Sequence, residues 1–109
     1  MRILPFLSLL LAASLAQAKG TLDVYWVDVE GGAATLVVTP AGESLLVDTG
    51  NPGTRDAGRI HKVATQVAGL KKIDHLITTH FHGDHYGGAA MLANMMPIGV
   101  VNDNGIPKK

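Results

Sequence analysis

The chain carries at residues 80–85 the run His80-Phe81-His82-Gly83-Asp84-His85, in which four of six side chains can bind a metal ion. His80 and His82 are two residues apart, so both imidazoles can point to the same side of an extended backbone. Gly83 allows the backbone to turn, and this turn can direct Asp84 and His85 towards a second metal ion. The spacing therefore predicts all four side chains as metal ligands.

The mixture of imidazole and carboxylate ligands predicts a hydrolytic site with two divalent metal ions. Neutral imidazole suits zinc, and iron or manganese also suit sites that mix nitrogen and carboxylate ligands. Two metal ions roughly 3.5–4 Å apart can share a hydroxide and activate it at neutral pH for attack on an ester, amide or phosphoester. Within the motif, Asp84 is the candidate catalytic residue as well as a ligand.

A second interpretation of the motif requires no metal. In it, residues 80–85 are loop and capping residues around the start of a helix, with Asp84 as the N-terminal cap. That interpretation accounts for one polar residue, but it gives no reason for three histidines and an aspartate within six positions. The sequence therefore favours the metal-binding interpretation.

Three short segments before the motif have the composition of β-strands. Residues 22–29, 33–39 and 44–48 are rich in β-branched and other apolar side chains, which favour strands. Glu30-Gly31-Gly32 and Pro40-Ala41-Gly42-Glu43 separate the three segments and are typical of tight turns. Three strands joined by short turns predict an antiparallel meander.

The hydrophobic period changes after the third strand, and a helix is predicted over residues 56–68. Its apolar face consists of Ile60, Val63, Ala64, Val67 and Ala68. Residues 73–78 have the pattern of a buried strand, so the connection is predicted to be β-α-β. The motif begins at the carboxyl end of this strand, where open α/β sheets place their sites. A second helix is expected over residues 86–95 and a last strand over residues 98–101.

The remaining histidines and the late methionines are predicted to have structural roles. His75 lies within a predicted strand, so we expect a buried or edge-strand histidine there and not a ligand. His61 lies beside the apolar face of the first helix and is expected at the surface. The predicted core-packing methionines, which lie near helical spacing, are Met91, Met95 and Met96.

Residues 1–18 have the pattern of a secretory signal peptide. Arg2 supplies a short positive region, and the segment from Ile3 to Leu15 is almost entirely apolar. Ala16-Gln17-Ala18 matches the small-residue cleavage pattern and makes Lys19 the expected mature N-terminus. The competing interpretations are a buried N-terminal helix or an uncleaved anchor. We expect export, to a bacterial periplasm or to the medium, with no membrane association after cleavage.

Composition and charge exclude several classes of function. The 9 Lys and Arg residues balance the 9 Asp and Glu residues, and the cations are scattered. A nucleic-acid partner would favour a clustered basic surface, so none is expected. Cysteine is absent, which excludes both a disulfide framework and a thiolate metal site.

The sequence resembles the N-terminal half of the metallo-β-lactamase superfamily of hydrolases. The segments that carry the resemblance are Leu46-Val47-Asp48-Thr49-Gly50 and the strand and motif at residues 73–85. The segment at residues 25–32 also resembles, more weakly, the corresponding domain of DNA-uptake competence proteins. The resemblance implies a four-layer αβ/βα sandwich with the metal ions at one edge between its two halves.

The resemblance also implies individual roles. By position, His80 and His82 would bind the first metal ion, and Asp84 and His85 the second. Asp48 matches an early aspartate of the family that supports the metal loop without binding metal.

One departure from the family pattern shapes the expected function. The family takes a third His, a bridging Asp and a final His from later segments, and Asp103 is not expected to be the bridge. We therefore expect residues 19–109 to be the N-terminal part of a truncated domain whose C-terminal half is missing. The expected function is an exported metal-dependent hydrolase, and the alternative is a non-catalytic remnant that binds metal or a partner.

Overall fold

The computed structural model describes residues 20–105 of the chain. The expected signal peptide at residues 1–18 lies outside the described residues. Within the described part, a five-stranded sheet is combined with helices that share one hydrophobic core with it. This arrangement confirms the predicted α/β class and corresponds to one half of the sandwich that the resemblance implies.

The strands follow one another across the sheet in sequence order. They are β1 Asp23–Trp26, β2 Thr35–Val38, β3 Ser44–Val47, β4 Ile73–Ile77 and β5 Ile98–Asn102. The pairs β1–β2 and β2–β3 are antiparallel, whereas β3–β4 and β4–β5 are parallel. The predicted meander and the β-α-β connection are therefore both confirmed.

Within residues 20–105, three α-helices connect the strands. They are α1 Thr54–Lys62, α2 Gly83–Tyr86 and α3 Ala89–Met95. Helix α1 continues directly into a π-helical turn, Val63–Val67, in which the backbone N–H of Ala68 donates to the carbonyl of Val63 at 2.9 Å. This i→i+5 turn is wider than an α-helical one, so residues at α-helical spacing leave the buried face. Val67 is consequently 63% exposed, and its predicted place on the apolar face was wrong.

The single helix predicted over residues 86–95 is two helices in the structure. Helix α2 begins at Gly83, three residues before the predicted start, and Gly87 and Gly88 separate it from α3. A Cβ at Gly88 would collide with the carbonyl oxygen of Thr49. The glycines therefore allow the segment between the two helices to approach the backbone that follows β3.

The core lies between one face of the sheet and the helices. Leu36, Leu46 and Leu76 are adjacent across β2, β3 and β4, and each is at most 1% exposed. Ile60 of α1 and Leu92 of α3 belong to the same buried cluster. Met96 is buried in this cluster, and Met91 and Met95 pack against it, which confirms the predicted core role of all three methionines.

The opposite face of the sheet, here called the open face, is formed by the cross-strand row Val24, Val37, Leu45, His75 and Val100, together with Trp26. The side chain of Trp26 is 81% exposed and that of Val100 is 52% exposed. No helix within residues 20–105 is both long and apolar enough to cross a membrane.

Candidate metal centre

The metal motif lies where two parallel strands end side by side. Asp48 directly follows β3, and the segment from Thr78 to His82 follows β4. The backbone N–H of Asp48 donates to the carbonyl of Ile77 at 2.8 Å. The carboxyl ends of β3 and β4 thus place a buried aspartate against the histidine-rich loop.

Asp48 is held in an uncommon backbone conformation at this edge. Its φ is 62°, a left-handed value that a residue other than glycine rarely adopts without compensating contacts. Its carboxylate accepts hydrogen bonds from the backbone N–H of Thr79 at 2.8 Å and from the Thr79 hydroxyl at 2.7 Å. The residue is 2% exposed, so these contacts replace its solvation.

The ionisation of Asp48 follows from the same contacts. Burial alone would raise the pKa of this carboxyl, but the Thr79 backbone N–H, the His85 ring and the Thr79 hydroxyl outweigh burial and lower the pKa. The carboxylate is therefore charged at neutral pH, and it can only accept hydrogen bonds.

This charged acceptor determines the proton positions on two imidazoles. Nδ1 of His85 lies 2.9 Å from Asp48 Oδ2, so Nδ1 carries the proton and donates it. The Thr79 hydroxyl donates to Asp48, and it therefore accepts from Nδ1 of His80 at 2.9 Å. In both rings the lone pair is therefore on Nε2, which is the form that binds metal. In His80 this lone pair accepts a hydrogen bond from Nδ1 of His82.

The four predicted ligands lie in two pairs. Nε2 of His80 lies 3.1 Å from Nδ1 of His82, and Nε2 of His85 lies 3.8 Å from Oδ1 of Asp84. Two nitrogens bound to one tetrahedral zinc ion would lie about 3.3 Å apart. The ring centroids of His80 and His85 are 4.0 Å apart, so the two pairs are neighbours.

Each pair offers only two donors to one ion. Among residues 20–105, no group of three or more His, Asp or Glu side chains is arranged to hold a metal ion. The chemistry of the donors and the hydrogen bonds behind His80 and His85 nevertheless fit divalent metal ions. The four residues are thus a candidate ligand set.

Two backbone segments hold the start of α2 in place. The N–H of Ala33 donates to the carbonyl of Asp84 at 3.1 Å, and the N–H of Thr49 donates to the carbonyl of His85 at 2.7 Å. A Cβ at Gly32 would collide with the Asp84 carbonyl. The interpretation of Asp84 as a helix cap was wrong, because His82 is the N-cap of α2 and makes no side-chain capping bond.

Sequence reasoning did not identify Thr79, Gly32 or Ala33 as part of this centre. The hydroxyl of Thr79 directly before His80 was a usable signal, since a ligand histidine needs a partner for its second nitrogen. The adjacent Gly31 and Gly32 were interpreted only as a turn. Nothing in the sequence distinguished the glycine that contacts Asp84 from its neighbour.

The remaining predicted residues lie outside the four-residue cluster. His75 is in β4, where its Nε2 lies 2.9 Å from Oε1 of Glu43, and His61 lies on α1. The Asp103 carboxylate accepts from the backbone N–H of Gly105 at 2.8 Å and makes no described contact with the cluster. Phe81 and Tyr86 pack edge to face, with ring centroids 5.6 Å apart.

An open cavity of about 610 Å³ adjoins the metal loop. Its lining residues are Glu30, Gly31, Asn51, Pro52, Thr54, Arg55 and Asp84. Asp84, whose side chain is 42% exposed, is the one motif residue among them. The cavity therefore adjoins the candidate centre at Asp84.

Comparison with known proteins agrees with the geometry of the site. The family model described as the metallo-beta-lactamase superfamily matches residues 27–101. A UPF0173 metal-dependent hydrolase from Cupriavidus metallidurans is 35% identical over an alignment of 98 residues that covers 87% of this chain and 31% of that protein. A second UPF0173 metal-dependent hydrolase, from Cupriavidus taiwanensis, is 35% identical over an alignment of 92 residues that covers 82% of this chain and 29% of that protein.

A third relative matches a shorter segment of the chain. The lactamase-like protein notP from an Aspergillus species is 39% identical over 66 residues, which are 61% of this chain and 20% of that protein. The chain thus spans about a third or less of the length of the curated relatives it matches. The region matched by the family model contains β2, β3, α1, β4 and the metal loop.

Proposed function

This chain belongs to the metallo-β-lactamase superfamily, and from that premise we propose that it is part of an exported metal-dependent hydrolase. The observation that carries the proposal is the hydrogen-bond system behind the motif, in which Asp48 orients His85 directly and His80 through Thr79. Partners of this kind are typical of ligand histidines.

The proposed ligand assignment follows the two pairs of donors. His80 and His82 would hold one divalent ion, and Asp84 and His85 would hold the other. Zinc is the proposed metal, with iron or manganese as alternatives. When bound, two such ions polarise the bond to be broken and lower the pKa of water so that it becomes a nucleophile at neutral pH.

The residues of the chain prepare the site for that chemistry. The Asp48 carboxylate holds the proton of His85 on Nδ1, and the Thr79 hydroxyl holds that of His80 on Nδ1. Asp84 is the proposed catalytic residue, because it is the motif residue that lines the cavity of about 610 Å³, where a substrate would contact it. The reaction proposed is hydrolysis of an ester, amide or phosphoester.

Export and the missing ligands belong to the same proposal. Residues 1–18 are proposed as a signal peptide, which would deliver the protein to the periplasm or the medium. The further ligands of both ions are proposed to come from a C-terminal half. The length of the relatives supports this, since the chain covers only 31% of one and 29% of another.

A direct test measures metal binding by the 109-residue chain with isothermal titration of zinc against a competing chelator. We expect His82→Ala and Asp84→Ala each to weaken zinc binding by at least about tenfold. The matched control is His61→Ala, which removes a histidine of α1 outside the loop and should leave binding unchanged. Equal loss in the control, or unchanged zinc binding in His82→Ala and Asp84→Ala, would refute the assignment.

The open face favours a second candidate function, a non-catalytic remnant that binds metal or a partner. Trp26 is 81% exposed there, and exposed apolar patches commonly mark interaction surfaces.

A hydrolysis assay separates the two candidate functions. The chain is joined to a C-terminal half from a relative, loaded with zinc, and tested on p-nitrophenyl acetate and bis(p-nitrophenyl) phosphate. Turnover that Asp84→Ala abolishes supports the hydrolase. Zinc binding without turnover supports the remnant.

A further inference from the structure

The cavity beside the metal loop contains one cation, Arg55, among its described lining residues. Arg55 is the second residue of α1, and it lines the same cavity as Asp84. Under the proposed function, a substrate whose reacting bond lies at Asp84 would extend into this cavity. The side chain that it would meet there is a guanidinium.

A buried carboxylate holds the guanidinium of Arg55 in place. Its Nε donates to Oδ1 of Asp56 at 2.7 Å, and Asp56 is only 1% exposed. The other carboxylate oxygen of Asp56 accepts from the backbone N–H of Asn51 at 2.7 Å and from its side-chain amide at 2.9 Å. Arg55 is therefore a preorganised cation, because its partner is itself fixed by the loop after β3.

Glu30, which lines the cavity and is the second ion-pair partner of Arg55, is held less firmly than Asp56. Nη1 of Arg55 lies 3.0 Å from Oε1 of Glu30, and the Glu30 side chain is 59% exposed. An ion pair in that much solvent contributes little stability. A ligand carboxylate or phosphate can therefore take the place of Glu30 on the guanidinium, whose planar donors match both groups.

The ion pair between Arg59 and Asp28 is a structural contact with which Arg55 can be compared. One turn along α1, Nη1 of Arg59 lies 3.2 Å from Oδ2 of Asp28 and donates to the Asp28 carbonyl at 2.9 Å. This pair also joins α1 to the segment after β1, but neither residue lines the cavity. Arg55 differs from Arg59 in facing the space beside Asp84.

We propose that Arg55 is a substrate-recognition residue that binds an oxyanion, a carboxylate or a phosphate group, carried by the substrate beside the bond to be hydrolysed. The proposal rests on the proposed function for the identity of the reacting bond. Glu30 occupies the guanidinium in the absence of substrate and is displaced when the anion binds. The substrate class is thus narrowed to anionic esters, amides or phosphoesters.

The experiment titrates the ¹⁵N-labelled 109-residue chain, freed of metal with a chelator and then desalted, with inorganic phosphate or acetate at constant ionic strength. The signals followed are Nε–Hε of Arg55 and the amide of Gly31. We expect saturable shifts, weakened about tenfold by Arg55→Gln and strengthened about threefold by Glu30→Gln, which removes the competing charge. The matched control Arg59→Gln should leave the affinity unchanged.

Three results would overturn this inference: no saturable shift in the unaltered or Glu30→Gln chain, no loss in Arg55→Gln, or an equal loss in Arg59→Gln. The anion that binds with the higher affinity, phosphate or acetate, identifies the substrate group as a phosphate or a carboxylate. Zinc titration of the Arg55→Gln chain keeps the two proposals apart. If the unaltered chain binds zinc but neither anion, only the recognition role of Arg55 is defeated. If it binds an anion but His82→Ala and Asp84→Ala leave zinc binding unchanged, the proposed hydrolase is defeated.

Discussion

Oδ2 of Asp48 lies 2.9 Å from Nδ1 of His85, and this contact leaves Nε2 of the ring for a metal ion. The same oxygen accepts from the Thr79 hydroxyl at 2.7 Å, which in turn accepts from Nδ1 of His80. A single buried carboxylate thereby sets the tautomer of one histidine in each donor pair. The two halves of the candidate centre are therefore coupled through Asp48.

Asp48→Asn should weaken both donor pairs. The asparagine amide is neutral, and its NH₂ group replaces one of the two carboxylate oxygens. That NH₂ group would then face other donors: the Thr79 backbone N–H in one orientation, or the Thr79 hydroxyl and the His85 ring in the other. We expect zinc affinity to fall by about 10–100-fold, measured by titration against a competing chelator. Asp28→Asn is the control, because Asp28 is exposed and pairs with Arg59; an equal loss there would contradict the role of Asp48.

Thr79→Val tests the indirect branch of this system. Valine keeps nearly the same volume but removes the hydroxyl, so Nδ1 of His80 loses its acceptor and the ring is free to change tautomer. We expect a loss of about tenfold or more in zinc affinity, with the loss confined to the His80–His82 pair in ¹H–¹⁵N spectra of the imidazoles.

Thr79→Ser is the matched control for that substitution. Serine retains the hydroxyl that links Asp48 to His80, so it should restore most of the zinc affinity. A serine variant as weak as the valine variant would show that the methyl group matters and not the hydrogen bond.

Gly32→Ala should displace Asp84. A Cβ at Gly32 would collide with the Asp84 carbonyl oxygen, whereas a Cβ at Gly31 has no heavy atom within 4 Å. Because the obstacle is backbone, relief requires moving the start of α2, and overpacking of this kind costs about 1–3 kcal/mol. Urea unfolding followed by circular dichroism should show this loss for Gly32→Ala, and zinc affinity should fall with it. Gly31→Ala is the control and should change neither.

The sequence was sufficient to predict the order of strands and helices, because each depends on local pattern. The alternation in the first three strands, the apolar spacing around Ile60 and the position of the motif after β4 all follow from hydrophobic period. The π-helical turn could not be predicted in this way, because the sequence positions of Val63 and Val67 are compatible with an α-helix as well as with a π-helix. Tertiary contacts at Gly87 and Gly88 likewise divided a helix that the sequence pattern presents as continuous.

The candidate site was predictable in its ligands but not in its supporting contacts. His80, His82, Asp84 and His85 are recognisable because they are close in sequence. Thr79 contacts Asp48, and Ala33 contacts Asp84, across 31 and 51 positions (79 − 48 and 84 − 33) of chain. Such contacts depend on which strand ends are neighbours in the sheet, which the local pattern does not determine.

Acid should destabilise the fold through Asp56. The hydrogen bond from Arg55 lowers the pKa of this carboxyl to about 2, aided by Asn51 and opposed by burial. Because the folded pKa lies below the ordinary value of 3.8, the stabilisation is complete above pH 3.8 and is lost as the pH falls towards 2. The free energy of unfolding, measured in urea between pH 6 and pH 2, should therefore decrease over that window.

Asp56→Asn should reduce the slope of that decrease, because asparagine has no proton to bind. The slope will not vanish, since the Ser44 backbone N–H and the Lys72 side chain also lower the pKa of Asp74 to about 2. Asp103→Asn is the control: Asp103 is exposed and accepts a hydrogen bond from the backbone N–H of Gly105, so its replacement should leave the slope as it was. An unaltered slope in Asp56→Asn would mean that the Arg55 contact does not persist in solution, and the anchored cation proposed for the cavity would lose its support.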